Sequence, residues 1–139
     1  MKYYVVIDTN VIISGFMEKH EDSNTVKILR MLFDGDIVPI YSDDTIAEYK
    51  EVLNRSVFKF KKSNVGKFIN VLKDNGLKLY PKHKDVVLVD KDDIVFYELV
   101  MDKTINSNKY LITGNIKHYS KDPIIVTPDE FIDIYESNK

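Results

Sequence analysis

Hydrophobic positions fall along the chain in two rhythms, short continuous runs and stripes spaced by three or four residues. Tyr3–Ile7 is a continuous apolar and aromatic run, the pattern of a strand buried on both faces in a parallel sheet. Asp8-Thr9-Asn10 ends it abruptly. Val11 to Phe16 is apolar again, but Ser14 and Gly15 interrupt it, which predicts a short turn or a helix start. Glu18 to Asn24 is polar and reads as loop. Val26, Leu29, Met31, Leu32 and Phe33 predict a helix with one buried face, stopped by Asp34-Gly35-Asp36. Ile37–Tyr41 reads as a second strand, and Pro39 marks it as an edge or irregular one.

Ser42-Asp43-Asp44 offers N-caps for a helix whose Ile46, Tyr49, Val52 and Leu53 share one stripe. Val57 to Lys62 follows neither rhythm. Val65, Phe68, Ile69 and Leu72 have amphipathic helical spacing, closed by Asn75-Gly76. Leu77–Tyr80 and Val86–Val89 read as strands, and Asp90–Asp93 opens a helix with Val95, Phe96, Leu99 and Val100 inside. Tyr110–Thr113 is a strand ending in Gly114-Asn115, and Ile124–Val126 is another. Thr127-Pro128-Asp129-Glu130 is a helix start with Thr at the N-cap, Pro at the first position and Glu at the third. Strands alternating with helices imply an α/β fold with a mostly parallel sheet.

Composition narrows the class. With 139 residues, 44% of them hydrophobic, the chain is long enough for one core, so residues 1–139 are expected to form a single domain. Cysteine is absent, which excludes disulfide scaffolds, thiol nucleophiles and thiolate metal sites. No apolar run approaches the ~18 residues needed to span a bilayer, and a cytoplasmic location is the default expectation. The net charge of −2 hides an asymmetry. Residues 49–84 carry ten Lys or Arg against two acids, leaving −10 on the rest. That segment could be a phosphate-binding surface, or simply a solvated helical hairpin with long side chains reaching outward.

Candidate chemistry lies where apolar runs end, because ligands of open parallel sheets bind beyond the carboxyl ends of the strands. Asp8 follows the first strand, Asn115 follows Tyr110–Thr113, and Asp90, Asp92 and Asp93 follow Val86–Val89. Glu48 sits at the edge of its helix's buried stripe. Carboxylates converging on one crevice repel each other, and Mg²⁺ or Mn²⁺ removes that cost and can activate water beside a phosphate. Each acid has an ordinary alternative: Asp8 as a turn or cap, Asp92 and Asp93 as helix caps, Glu48 as an exposed helix residue. His20, His83 and His118 lack metal-motif spacing, and His118 reads first as a loop residue. Arg55 could pair with an acid or meet substrate, and Lys117 could touch a phosphate. Phe58 and Phe60, between Lys59, Lys61 and Lys62, could stack on bases, though core packing explains them as well.

Five blocks in order resemble the PIN domain family, a nuclease domain found in many toxin-antitoxin ribonucleases. They are Asp8-Thr-Asn-Val-Ile-Ile-Ser-Gly15, Glu48-Tyr-Lys-Glu-Val-Leu-Asn-Arg55, Asp90-Lys-Asp-Asp93-Ile-Val-Phe-Tyr-Glu98, Leu111-Ile-Thr-Gly-Asn115 and Thr127-Pro-Asp-Glu-Phe131. The last resembles the closing helix of a subgroup of toxin components. The resemblance implies a three-layer α/β/α, PIN-like fold and hydrolysis of RNA, single-stranded or structured, with Mg²⁺ or Mn²⁺. It implies Asp8, Glu48 and Asp93 as metal ligands and Asn115 in the place of the family's fourth acid, without its charge. Thr9, Asn10 and Thr113 would support the site, and Arg55, Lys59, Lys61, Lys62 and Lys117 would meet substrate. A cognate antitoxin and a homodimer are the implied partners, with no membrane. The alternative is an inactive PIN-like protein that binds RNA or another protein. A response-regulator receiver would want an adjacent acidic pair near the first strand, and a haloacid-dehalogenase-like phosphatase would want Asp where Asn10 stands.

Overall fold

A computed structural model describes residues 2–82, 88 and 91–139. The strand expected over Val86–Val89, together with His83 and Asp90, lies outside these residues, except for Leu88. Five strands form the sheet: β1 (Tyr4–Ile7), β2 (Val38–Tyr41), β3 (Leu77–Lys78), β4 (Lys109–Ile112) and β5 (Ile125–Val126), in the order β3-β2-β1-β4-β5. Every pairing is parallel. Central β1 is flanked on both sides, so Val5, Val6 and Ile7 are all buried, as the continuous apolar run required.

Among the described residues, six helices connect and cover the strands: α1 (Thr9–Met17), α2 (Asn24–Asp34), α3 (Asp43–Leu53), α4 (Lys62–Asn75), α5 (Ile94–Val100) and α6 (Pro128–Ser137). They form a three-layer α/β/α arrangement. From β1 the chain steps to β2 and then β3 in one direction; the return from β3 to β4 reverses it. With right-handed crossovers, that reversal sends α5 to the opposite face from α1 and α2, while α3 reaches it at the carboxyl ends of the strands. α5 packs on β1, β2 and β4, while α6 packs on β4, β5 and α2.

Local chemistry sets the helix ends. Ser42 Oγ accepts the Thr45 N–H at 3.2 Å while Thr45 Oγ1 accepts the Ser42 N–H at 2.9 Å, closing a capping box on α3. Thr127 and Glu130 do the same for α6. Gly35 ends α2 in the left-handed region at φ 78°, which costs glycine little.

Two expectations need correcting. Ser14 and Gly15 do not interrupt the chain; α1 runs through them. A Cβ on Gly15 would lie 2.4 Å from Leu29 Cδ1, so the glycine is where α1 and α2 approach each other. Nor is β2 an edge strand. The Val38 N–H donates to Tyr3 O of β1, so by strand alternation the N of Pro39 faces the β3 side. There β3 pairs only with Ile40 and Tyr41, so the missing N–H of Pro39 meets no ladder partner.

Beneath the carboxyl ends of the strands, Tyr49 packs against Phe68 and Phe96 at ring distances of 5.3 and 5.6 Å. All three are buried, and each contributes about 1.5–3 kcal/mol of apolar burial. The Tyr49 hydroxyl donates to the Ile7 carbonyl, fastening α3 to the end of β1. Glu48 is thereby held one residue from a rigid anchor.

Candidate active site

β1 and β4 run side by side, paired from Tyr4–Lys109 to Ile7–Ile112, and beyond them the chain departs in opposite directions. The crevice past their carboxyl ends is the topological switch point of the sheet. Asp8 and Thr113 are the next residues on the two strands. The Asp8 N–H continues the ladder by donating to Ile112 O at 3.0 Å.

Asp8 stands at the N-cap of α1, and the Thr9 and Asn10 N–H groups at the start of that helix help stabilise its carboxylate. Its Oδ2 accepts from Thr113 Oγ1 and from the Tyr119 hydroxyl, both at 2.9 Å. Asp8 is 3% exposed. Burial pushes its carboxyl above the ordinary range, and the hydrogen bonds from Tyr119 and then Thr113 pull it part of the way back. Thr113 Oγ1 also accepts the Asn115 N–H at 3.0 Å, and Asn10 Oδ1 accepts the Gly114 N–H at 3.0 Å. Asn10 thus joins α1 to the loop after β4. Thr9 Oγ1 is buried and has no hydrogen-bond partner among the described residues.

Asp93, at the junction of a 3₁₀ turn (Lys91–Asp93) and α5, repeats the pattern. It is buried, and its Oδ2 lies 3.1 Å from His118 Nδ1. Tyr119 relates the two acids: its hydroxyl donates to Asp8 Oδ2, and the charge of Asp93 acts on the same phenol. Burial, and then the charges of Asp8 and Asp93, hold the Tyr119 phenol far above its usual range, so it remains a donor. Its ring stacks on Tyr97 with centroids 6.4 Å apart.

Glu48 is half-buried on α3. Partial burial raises its carboxyl, and the nearby charges of Asp92, Glu51 and Asp8 add to the shift, while Arg55 opposes it. Arg55 forks onto Glu51, with contacts of 2.7 and 3.2 Å, just beyond the end of α3. Asn115 is exposed at the crevice lip, and its side chain makes no helix cap. Lys117 is exposed two residues on. Lys59, Lys61 and Lys62 are exposed on and after the α3–α4 connection. Phe58 and Phe60 between them stack at 5.4 Å, and Phe60 meets Phe16 of α1 edge-on at 5.2 Å, so this pair extends the core.

Oxygen donors of this kind suit a hard divalent cation. Burial raises the pKa of both Asp8 and Glu48, and like charges add to the shift at Glu48, a cost that a cation removes. Among the described residues, however, no three Asp, Glu or His side chains are gathered closely enough to ligate one ion as they stand. Asp8 Oδ2 is held by two hydroxyls and Asp93 Oδ2 faces His118. Gripping an ion with three of these acids requires side-chain rotation.

Two residues matter more than the sequence alone indicates. Nothing in the sequence assigns Tyr119 a role, because its bond to Asp8 spans 111 positions. Asp92 reads in sequence as a strand-end acid or a helix cap, whereas its charge falls on Glu48. An aromatic hydroxyl shortly after the fourth block was the only available signal for the first.

A family model described as PIN domain matches residues 4–117, a span that includes Asp8, Glu48, Asp93 and Asn115. No curated protein and no solved structure matches the chain significantly.

Proposed function

The chain belongs to the PIN domain family, whose members are generally metal-dependent nucleases, and we propose that it is an endoribonuclease that hydrolyses RNA phosphodiesters with Mg²⁺ or Mn²⁺. The observation that carries this reading is the pair Asp8 and Asp93. Both are buried at helix starts by the switch point, where Asp8 Oδ2 accepts from the Thr113 and Tyr119 hydroxyls and Asp93 Oδ2 faces His118. Buried acids cost stability, and a ligand role accounts for them.

In this reading Asp8, Glu48 and Asp93 hold the ion. When bound, it lowers the pKa of attacking water and neutralises charge developing on the phosphate. Thr113 and Tyr119 keep the Asp8 carboxylate oriented by donating to one of its oxygens. Thr9 fills the start of α1, and Asn10, through Gly114, fixes that helix start against the loop after β4. The neutral amide of Asn115 orients the scissile phosphate without adding charge. Lys117 holds the neighbouring backbone, while Arg55, Lys59, Lys61 and Lys62 guide the strand from farther away. The substrate is single-stranded or structured RNA. A toxin role with a cognate antitoxin, and a homodimer, are parts of the proposal taken from the family resemblance.

A labelled RNA panel incubated with Mn²⁺, beside an Asp8→Asn preparation, tests the reading. Cleavage by the wild type alone is expected; equal cleavage by both preparations refutes it. Neutral Asn115, together with the lack of a ready three-acid group among the described residues, favours one second reading: a catalytically weak PIN-like module that binds RNA or protein. That module would bind RNA, or a protein partner, without cleavage and without a metal requirement.

A further inference from the structure

We propose that the pocket between the loop after β4, β5 and the start of α6 seats a nucleobase carrying an exocyclic amino group. The nature of this ligand rests on the ribonuclease reading. The pocket has a volume of about 490 Å³, which lies in the range of small-ligand sites. Tyr119, Ile125 and Val126 form its floor, and Ile116 and Pro123 line it. Ile116 is a large apolar side chain left 37% exposed.

Position gives the pocket its meaning. Tyr119 is shared: its hydroxyl donates to Asp8, and the same residue lines the pocket. A flat apolar group seated here therefore lies beside the residue that holds the acid of the candidate site, as a base next to a scissile phosphate would. Lys117 and Lys121 also line the pocket and suit flanking phosphates.

The polar groups choose among bases. Asp122 Oδ1 accepts the Ile124 N–H at 3.0 Å, and Glu130 Oε1 accepts the Thr127 N–H at 2.9 Å. Each carboxylate has a second oxygen, and both residues line the pocket. Carboxylates accept hydrogen bonds from the amino groups of adenine, cytosine or guanine. Uracil has no exocyclic amino group; its one ring donor, N3–H, is flanked by two carbonyl oxygens that repel a carboxylate.

The test is isoleucine-methyl NMR of the full chain in EDTA, titrated with each of the four nucleoside 5′-monophosphates. Adenosine, cytidine and guanosine monophosphates should shift the Ile116 and Ile125 methyls saturably, with Ile69 on α4 unmoved as the control for the fold. Uridine monophosphate should bind at least about fivefold more weakly, the value of roughly one net hydrogen bond. Glu130→Gln, which can still close the capping box, should narrow that discrimination, and Lys121→Glu should weaken all four. No saturable shift at Ile116 and Ile125, or equal affinity for uridine monophosphate, overturns the proposal. RNA cleavage in Mn²⁺, measured separately, distinguishes the two failures. Cleavage without methyl shifts rejects the pocket alone. Shifts without cleavage keep the pocket and reject the ribonuclease reading.

Discussion

Replacing Asp8 with Asn should make the chain more stable at neutral pH when no divalent ion is present. Asp8 is almost wholly buried, and burial raises its pKa above 3.8 despite two hydroxyl donors. Asn has nearly the same shape, and its amide oxygen can accept both the Thr113 and the Tyr119 hydrogen bond. Removing the buried charge should therefore add about 1–2 kcal/mol, once imperfect amide geometry is allowed for. In a chain of this size that is roughly 3–7 °C in melting temperature. The sign follows from linkage: below pH 3.8 both folded and unfolded chains carry the proton, and Asp8 is at its most favourable. As pH rises through the folded pKa, the native state must ionise a buried acid, and its stability falls relative to the Asn variant. Thermal melts of both proteins in EDTA, from pH 3.5 to pH 7.5, read the difference. The gain should be small at the acid end and full at neutral pH. An Asn variant that is less stable at pH 7, or a difference that ignores pH, refutes the reasoning.

Tyr119→Phe deletes the hydroxyl that donates to Asp8 Oδ2 and should cost about 1.5–3 kcal/mol in urea unfolding at pH 7. It should also steepen the fall in stability between acid and neutral pH, because Asp8 loses its strongest pKa-lowering partner; an unchanged midpoint and slope would contradict this. Gly76→Ala should destabilise by about 1–3 kcal/mol, since its Cβ would lie 2.3 Å from Leu72 O and 2.6 Å from Pro39 O. Those are backbone atoms that cannot rotate away, so a neutral substitution would show that the α4–β3 join has room.

The helices were legible because each buries one stripe. Ile46, Tyr49, Val52 and Leu53, and likewise Val65, Phe68, Ile69 and Leu72, are all buried as their spacing required. The capping residues Ser42 and Thr127 were legible for the same reason, since capping is local chemistry. Gly15 and Pro39 misled because each was read against its neighbours in sequence. Their roles depend on Leu29 and on where β3 begins, which are facts of tertiary packing. Asp8, Glu48 and Asp93 stood out by their place after strands or at a stripe edge, and parallel topology brings Asp8 and Asp93 toward one crevice. Tyr119, His118 and the charge of Asp92 were hidden because a side-chain partner across 25 or 111 positions leaves no periodic trace.

Mn²⁺ calorimetry on the wild type, Asp8→Asn and Asp93→Asn tests most directly whether these acids share an ion. The wild type should bind with a saturable signal, and each single substitution should weaken binding by about tenfold or more, the loss of roughly 1.4 kcal/mol of coordination. Lys59→Ala, remote from the acids, should bind like the wild type. No Mn²⁺ binding by the wild type, or unaltered binding in both Asn variants, would contradict the metal site and with it the nuclease mechanism.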